Sequence, residues 1–545
     1  MKKIRSASLL IFVMAIFSLS SPVYSQAKGV KTITEKELRY HLEFLGSGEF
    51  RGRETPSYEL DIATLYISNW AKYTGLKPLM ADGSFYQDVP LNVTAFSQAK
   101  TRMNVVKGSN EYVYYFGKSF GGNFQTNGSY AGTVIFAGTG FNEIKDSDLR
   151  GKIVVIIDEQ QDGSKTEQSL WLASRMVDRV SIIREKGASA LFSIVSPEKQ
   201  KRIATSSAFY DYIPTGRLGT IYDSQRTSFE TTSSQSSTRE RQLPFTVAEI
   251  DHNLAATLLG TTEEEINGLF ETVRSGKSLA AKELKDVYVK LDVETETYTA
   301  TSRNVIAIVE GSDPVLKNEF IVICGHVDGR GIDDGEIISA ADDNGTATVA
   351  LMEIGQALLT ERPKRSVILA WVTGEEQGMN GSHYFINNSP VPVEKISAYL
   401  NMDMLGRNNP DSLFLIASDL LSSDLDGSIR RVNQKFGIDL GFDYRYSNLT
   451  HPQRVYFRSD HYPFIRFGIP SVWFFCGFTN DYHTYRDTPE FIDYKKFLKV
   501  TKLVYLTAMD IGNMKNLLNL DVNPAVTERG ANNLREKSLF SATEK

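Results

Sequence analysis

Apolar positions change their spacing twice along this chain, and each change predicts a different kind of element. Between about Ile33 and Pro90 they recur every three or four residues: Leu38, His41, Leu42 and Leu45, then Leu60, Ala63, Tyr66, Ile67 and Trp70. That spacing predicts two amphipathic helices, with Gly46 to Arg53 as a turn-rich loop between them. From about Asn92 to Tyr298 the pattern becomes β-rich. Apolar runs such as Gly132 to Ala137 and Lys152 to Ile157 alternate with glycine turns, and a Ser/Thr-rich stretch, Ser224 to Ser237, reads as a solvated loop. From Asn304 onward the runs Val305–Val309, Phe320–Cys324, Ser366–Val372, Ile396–Met402 and Ser471–Phe475 are nearly continuous in apolar residues. Such runs suit strands covered on both faces. Between them Ala350, Ile354, Ala357 and Leu358 keep helical spacing. Strands and helices taking turns predict an α/β sheet for this part of the chain. The tail after Leu518 is polar and is expected to be disordered.

The first residues alter the picture of where the protein works. Lys2, Lys3 and Arg5 precede a short apolar run, Leu9 to Leu19, and Val23-Tyr24-Ser25 follows just before Gln26. The run is too short to span a bilayer comfortably, so residues 1–25 are expected to be a removed signal peptide and the protein to be periplasmic or extracellular. No cysteine lies near the cleavage site to carry a lipid anchor, and no later apolar run suggests stable membrane insertion. About 520 residues would remain, enough for two or three domains. The formal charge of −6 becomes −9 once the signal is removed, which argues against nucleic acid as a partner. Cys324 and Cys476 each sit inside an apolar run and read as buried small hydrophobes rather than a disulfide.

Chemistry concentrates in five short segments of the last part. His326-Val327-Asp328 ends a strand, and residues i and i+2 of an extended segment project to one side. The imidazole could bind a metal while Asp328 accepts a hydrogen bond from its other nitrogen. Ala341-Asp342-Asp343-Asn344-Gly345-Thr346 opens a helix, and its plain alternative is an ordinary helix cap. Gly374-Glu375-Glu376-Gln377-Gly378 follows a strand. Adjacent carboxylates repel unless a cation or proton compensates them, so one could hold a metal and the other act as a base. Asp403 ends another apolar strand, and His483 follows the strand Ser471–Phe475. Taken singly each is weak, but all five can converge at the carboxyl edge of one sheet, where open α/β sheets place ligands. Two histidines and three carboxylates suit zinc or another divalent metal. Ser459-Asp460-His461 cannot easily converge as a catalytic triad and reads as a wall of the substrate pocket.

Together GHVDG, ADDNGTA, GEEQG, NMD and YHT resemble metallopeptidase family 28, the co-catalytic zinc aminopeptidases and glutamate carboxypeptidases. The likeness extends to the flanks Arg458 to Phe464 and Arg486 to Glu490. It implies a zinc-exopeptidase (phosphorylase/hydrolase-like) fold, a three-layer αβα mixed sheet. Residues 26–91 and 299–518 would form this peptidase domain, 92–298 an inserted β-rich protease-associated domain, and 519–545 the polar tail. The resemblance implies two Zn2+ per chain, with His326 and Asp403 holding one, Glu376 and His483 the other, and Asp343 bridging. It also implies Glu375 as general base, Asp328 as the residue orienting His326, and Tyr482 as a hydroxyl stabilising the tetrahedral intermediate. The implied substrate is a peptide cut at its free amine. A carboxypeptidase of the glutamate carboxypeptidase type is the main alternative; a one-zinc glutaminyl cyclase and a non-catalytic receptor-like ectodomain are more distant ones.

Overall fold

The computed structural model describes residues 28–97, 99–122, 127–140, 142–145, 147–159, 179–206, 217–220, 245–333, 336–522 and 529–530. The expected signal peptide and the loop 224–237 lie outside the described residues.

Five strands form the heart of a ten-stranded mixed sheet: β1 (Thr295–Val309), β2 (Phe320–His326), β3 (Ser366–Val372), β4 (Ile396–Met402) and β5 (Ser471–Phe475). Their order is β5-β4-β2-β3-β1. The pairs β4–β5, β2–β4 and β2–β3 are parallel and β3–β1 is antiparallel. Strands Ser412–Ile416 and Gly441–Asp443 extend one edge; Tyr86–Phe96 and Arg217–Thr220 extend the other. Alternate residues bury against opposite faces. Val305, Ile321, Ile323, Leu369, Trp371 and Leu400 pack with helices Glu35–Leu45, Tyr58–Thr74, Thr346–Thr360 and Tyr494–Gly512. Ile306, Val322, Cys324, Ile368 and Tyr399 pack with Phe385 and Phe464 from helices Asn380–Asn387 and His461–Ile465. Covering both faces is why these strands carry no polar alternation.

The N-terminal helices begin where the sequence places them. Thr34 and Ser57 accept the Glu37 and Leu60 amides in their first turns, as capping residues should. Both cysteines are buried and free. Strand β1 is longer than its apolar part because Thr295 to Thr301 is largely exposed, so no hydrophobic signal marks it. It pairs antiparallel with Tyr86–Phe96 from Thr295↔Phe96 to Val305↔Tyr86. The limits 92 and 298 therefore fall inside two strands of the main sheet. Between them an eight-stranded sheet has its own core, with Val105, Val134, Phe192 and Val289 packed against helices His252–Leu259 and Glu263–Arg274. Parts of the segment after Leu518 are anchored: the Asp521 amide donates to the Leu421 carbonyl at 3.2 Å, and Arg529 donates to the Ile396 and Leu518 carbonyls.

One buried acid lies well outside the candidate site. Glu353, 1% exposed, faces His41 across the helix packing, with His41 Nε2 3.9 Å from its Oε1. Burial first, then the Glu37 charge and hydrogen bond, raise its pKa from 4.5 to about 8. Because the folded value lies above the unfolded one, this stability contribution is full below about pH 4.5 and is lost as pH rises through about 8. Glu353→Gln should therefore melt at a higher temperature than the parent at pH 9. The gain should be roughly 3–5 kcal/mol, at ~1.4 kcal/mol for each tenfold change in proton affinity, and should vanish at pH 4.5. His41, whose pKa burial lowers, has the opposite pH dependence and is common to both proteins. Equal melting curves at pH 9 would contradict this prediction.

Candidate metal centre

Parallel strands deliver the site. His326 is the last residue of β2, Asp403 follows β4 directly, Glu375 and Glu376 follow β3 by a short turn, and His483 lies in the loop after β5. Segment Ala341–Gly345 is not the first turn of the helix, as its sequence suggests, but an irregular turn ahead of it. Asp343 (φ −109°, ψ 84°) and Asn344 (φ −136°, ψ 45°) leave helical geometry there. The capping role falls to Asn344, whose Oδ1 accepts the Ala347 amide at 3.2 Å. Asp343 is thereby released for the cluster.

Asp343 presents one oxygen to each histidine: Oδ1 is 3.4 Å from His326 Nε2 and Oδ2 is 3.0 Å from His483 Nε2. His326 Nε2 is also 3.6 Å from Asp403 Oδ1, and His483 Nε2 is 3.2 Å from Glu376 Oε2. Two groups result, His326–Asp343–Asp403 and Asp343–Glu376–His483, each with ligand atoms mutually within 4.8 Å. A tetrahedral zinc with donors ~2.0–2.1 Å away holds them ~3.3 Å apart, so these spacings are those of a ligand shell. The imidazole tautomer agrees. His326 Nδ1 lies 3.0 Å from the Asp328 carbonyl oxygen, which can only accept, so Nδ1 carries the proton of the neutral ring and Nε2, facing the cluster, would offer its lone pair to a metal. His326 Nε2, Asp403 Oδ1 and Glu376 Oε1 are buried and make no hydrogen bond. Orphaned buried polar atoms are costly, and here they converge where a cation would satisfy them. The residues fit zinc.

Electrostatics point the same way. The charge of Glu376 and the hydrogen bond to Asp343 overcome burial and push the His483 pKa up to about 9. Asp343 and Asp403 likewise overcome burial at His326, which is raised well above 6.5. Asp343 moves the other way, since hydrogen bonds to both imidazoles outweigh its burial and hold it below its usual value. A cluster that holds protons this tightly would release them to a divalent ion.

Asp328 is placed differently from the sequence expectation. The backbone carbonyl, not the carboxylate, holds His326, and the nearer carboxylate contact is 3.7 Å. The Asp328 carboxylate instead accepts the backbone amides of Glu375 and Glu376 at 3.2 and 3.3 Å, fixing the turn that carries both. Glu375 belongs to neither ligand group; its Oε2 lies 3.9 Å from His326 Nε2, and burial raises its pKa well above the ordinary range. The Tyr482 ring stacks on His483 with centroids 3.7 Å apart, and its hydroxyl receives a hydrogen bond from Arg458 Nη2 at 3.3 Å.

Several supporting residues carry no sequence signal for their role. Ser459 Oγ donates to Asp403 Oδ2 at 2.7 Å, leaving Oδ1 for the cluster. Asp460 accepts from Ser382 at 2.6 Å, and His461 packs near Trp473. All three of Ser459, Asp460 and His461 are fully buried, so they support the site from beneath rather than forming a pocket wall. Asp487 accepts the Asp342 and Asp343 amides at 2.8 and 3.1 Å, clamping the bridging turn.

Arg53 comes from the loop between the N-terminal helices. It is 1% exposed and donates to the carbonyls of Val327 (2.8 Å), Ser339 (3.1 Å), Ala340 (2.8 Å) and Leu45. Burial lowers its pKa to about 10, against the charges of Asp487, Asp328 and Asp343. Arg53 thus ties the residue after His326 to the turn before Asp343. Arg53→Ala should destabilise the fold by on the order of 3–5 kcal/mol, because it strands buried carbonyls, and should weaken zinc binding in titrations below its Tm. Unchanged zinc affinity in the folded variant would limit Arg53 to a structural role. Arg53→Lys should restore only part, since an ammonium cannot reproduce the planar fork.

The fold and site define an α/β protein with two carboxylate–histidine groups, each able to hold a metal, that share one aspartate. Residues 304–508 match the family model described as peptidase family M28. Over 256 residues it is 27% identical to a probable leucine aminopeptidase 2 of Trichophyton verrucosum (strain HKI 0517), covering 46% of this chain and 49% of that protein. Leupeptin-inactivating enzyme 1 of Streptomyces exfoliatus is 31% identical over 196 residues, 33% of this chain and 38% of that one. The chain therefore spans about half, or less, of the curated relatives it matches. Among solved structures, the zinc aminopeptidase BSAP from Bacillus subtilis matches with TM-score 0.52 at 16% identity, covering 90% of this chain and 99% of that one. An aminopeptidase from Aneurinibacillus sp. strain AM-1 matches with TM-score 0.50 at 17% identity, covering 92% and 98%. These likenesses establish the α/β fold. No helix among the described residues is long and apolar enough to cross a membrane.

Proposed function

We propose that the protein is a di-zinc exopeptidase, an aminopeptidase exported from the cytoplasm, that hydrolyses the first peptide bond of peptides with a free amine. The observation that carries this reading is the division of one carboxylate, Asp343, between two ligand groups whose remaining donors include buried, unpaired atoms. His326, Asp343 and Asp403 would hold one zinc, and Asp343, Glu376 and His483 the other. When bound, the ions would acidify a water and polarise the scissile carbonyl. Glu375, partly buried and held by Asp328 through its backbone, takes a proton at its carboxylate and returns one to the leaving amine. The Tyr482 hydroxyl, oriented by Arg458, donates to the negative charge that develops on the carbonyl oxygen. The relatives named as leucine aminopeptidases support cleavage at a free amine over a free carboxylate. Two ligand groups rather than one weigh against a single-zinc cyclase, and a complete donor set weighs against a binding-only ectodomain. The eight-stranded sheet between the two parts of the main sheet is read as a protease-associated insertion.

The test is hydrolysis of paired dipeptide-like substrates, one amine-blocked and one carboxylate-blocked, with and without a zinc chelator. Chelator-sensitive cleavage that requires the free amine is expected. Cleavage that requires the free carboxylate and proceeds with the amine blocked would move the protein to the carboxypeptidase branch.

A further inference from the structure

Beside the ligand groups stands a cation that the proposed mechanism leaves unused. Arg330 follows the HVD segment by one glycine, and its side chain is 40% exposed. Among the described residues its nearest opposite charge is Glu376 Oε2 at 3.9 Å, beyond hydrogen-bonding range, and that oxygen already faces His483 Nε2 at 3.2 Å. Besides Glu376, the carboxylates whose charge it feels are Asp333 and Asp343, so the guanidinium stands beside the ligand groups. Arg458, by contrast, is engaged: it donates to Tyr482 and lies over the Phe478 ring at 5.2 Å.

The backbone presenting Arg330 is pinned on both sides. Gly329 N donates to the Arg53 carbonyl at 3.2 Å and Gly331 N to the Gly52 carbonyl at 3.1 Å. A Cβ on Gly329 would lie 2.4 Å from Ala340 Cβ, and one on Gly331, which has φ +77°, would lie 2.7 Å from Glu54 Cβ. An arginine that only balanced surface charge would need no such fixed base. A planar fork held in place beside the ligand groups recognises carboxylates in two-point fashion, and preorganisation lowers the cost of doing so.

We infer that Arg330 is a specificity-determining residue that binds a substrate carboxylate beside the scissile bond. This rests on the peptidase reading above and adds a substrate class to it. The preferred substrates are short peptides whose C-terminal carboxylate lies one residue from the cleaved bond, or peptides with an acidic residue there. Both sources offer the same chemistry, and the experiment separates them.

With zinc-loaded protein, kcat/KM is measured for Leu-Ala against Leu-Ala amide and for Leu-Asp amide against Leu-Asn amide. The parent should favour at least one carboxylate-bearing member by about tenfold or more; the first pair reports a chain terminus, the second an acidic side chain. In Arg330→Gln that preference should fall to within about threefold, with partial recovery in Arg330→Lys. Calorimetric binding to a Glu375→Gln background supplies a readout without turnover, in which adding Arg330→Gln should weaken the favoured acid and leave its neutral partner unchanged. Equal use of acid and neutral members by the parent would overturn the inference while leaving the peptidase reading intact. So would an equal loss on both members in Arg330→Gln, which would mean that Arg330 serves Glu376 instead. If the parent cleaves no peptide, the peptidase reading fails, and equal binding of acid and amide would then remove the carboxylate site as well.

Discussion

Glu375→Ala should lower kcat by about three orders of magnitude or more and leave the zinc content at the proposed two per chain. The expectation follows from where the side chain sits. Glu375 lies beside the ligand cluster, with Oε2 3.9 Å from His326 Nε2, yet belongs to neither ligand group. Its backbone is fixed by Asp328, so the truncation removes a carboxylate without moving Glu376. General acid–base groups contribute about 10²–10⁴-fold, and this one is assigned both halves of the proton transfer. Glu375→Gln should be nearly as inactive, because the amide keeps the shape and loses the basicity. Metal analysis beside steady-state kinetics checks the result. Loss of both zinc ions with the activity would make Glu375 a ligand and remove it as the base.

Asp343→Ala should have the opposite signature, an inactive protein that binds neither zinc tightly. Each of its oxygens faces a different histidine, at 3.4 and 3.0 Å, so one truncation opens both ligand shells. Damage confined to one shell is what His483→Ala should show, since His483 belongs to a single group. The fold should survive, because Asp487 holds the turn through the backbone amides of Asp342 and Asp343, which remain. Zinc titration with a competing chromophoric chelator, together with Tm, separates these cases. One zinc retained at parental affinity in Asp343→Ala would contradict the bridging role.

The parts of this molecule legible in its sequence are those set by burial and strand direction. Central strands covered on both faces must be apolar throughout, so β2 to β5 announce themselves, and chemistry-bearing residues at their carboxyl ends must meet at one sheet edge. The long antiparallel pairing of Thr295–Val309 with Tyr86–Phe96 is not announced, because much of it is exposed and its partners are distant in the chain. Within the site, spacing proposes His326, Asp343, Glu376, Asp403 and His483 as neighbours, and the structure gathers all five. What spacing cannot supply is the backbone that aims them. Ala340, Met404 and His483 adopt φ of 54°, 59° and 58°, conformations that cost non-glycine residues of order 1–3 kcal/mol and cluster at functional sites. No residue preference flags them. The roles of Arg53 and Asp487 are not legible for a related reason: they act on main-chain carbonyls and amides mostly far away in sequence, and the likeness that takes in Asp487 assigns it no contact.

Metal content, measured on the purified protein and again after dialysis against zinc, bears on the di-zinc reading without any intervening assumption about substrate. Two zinc ions per chain are expected, with anomalous scattering peaks in crystals beside His326–Asp403 and beside Glu376–His483, both contacting Asp343. A single zinc, or none, in a folded protein given excess metal would contradict it.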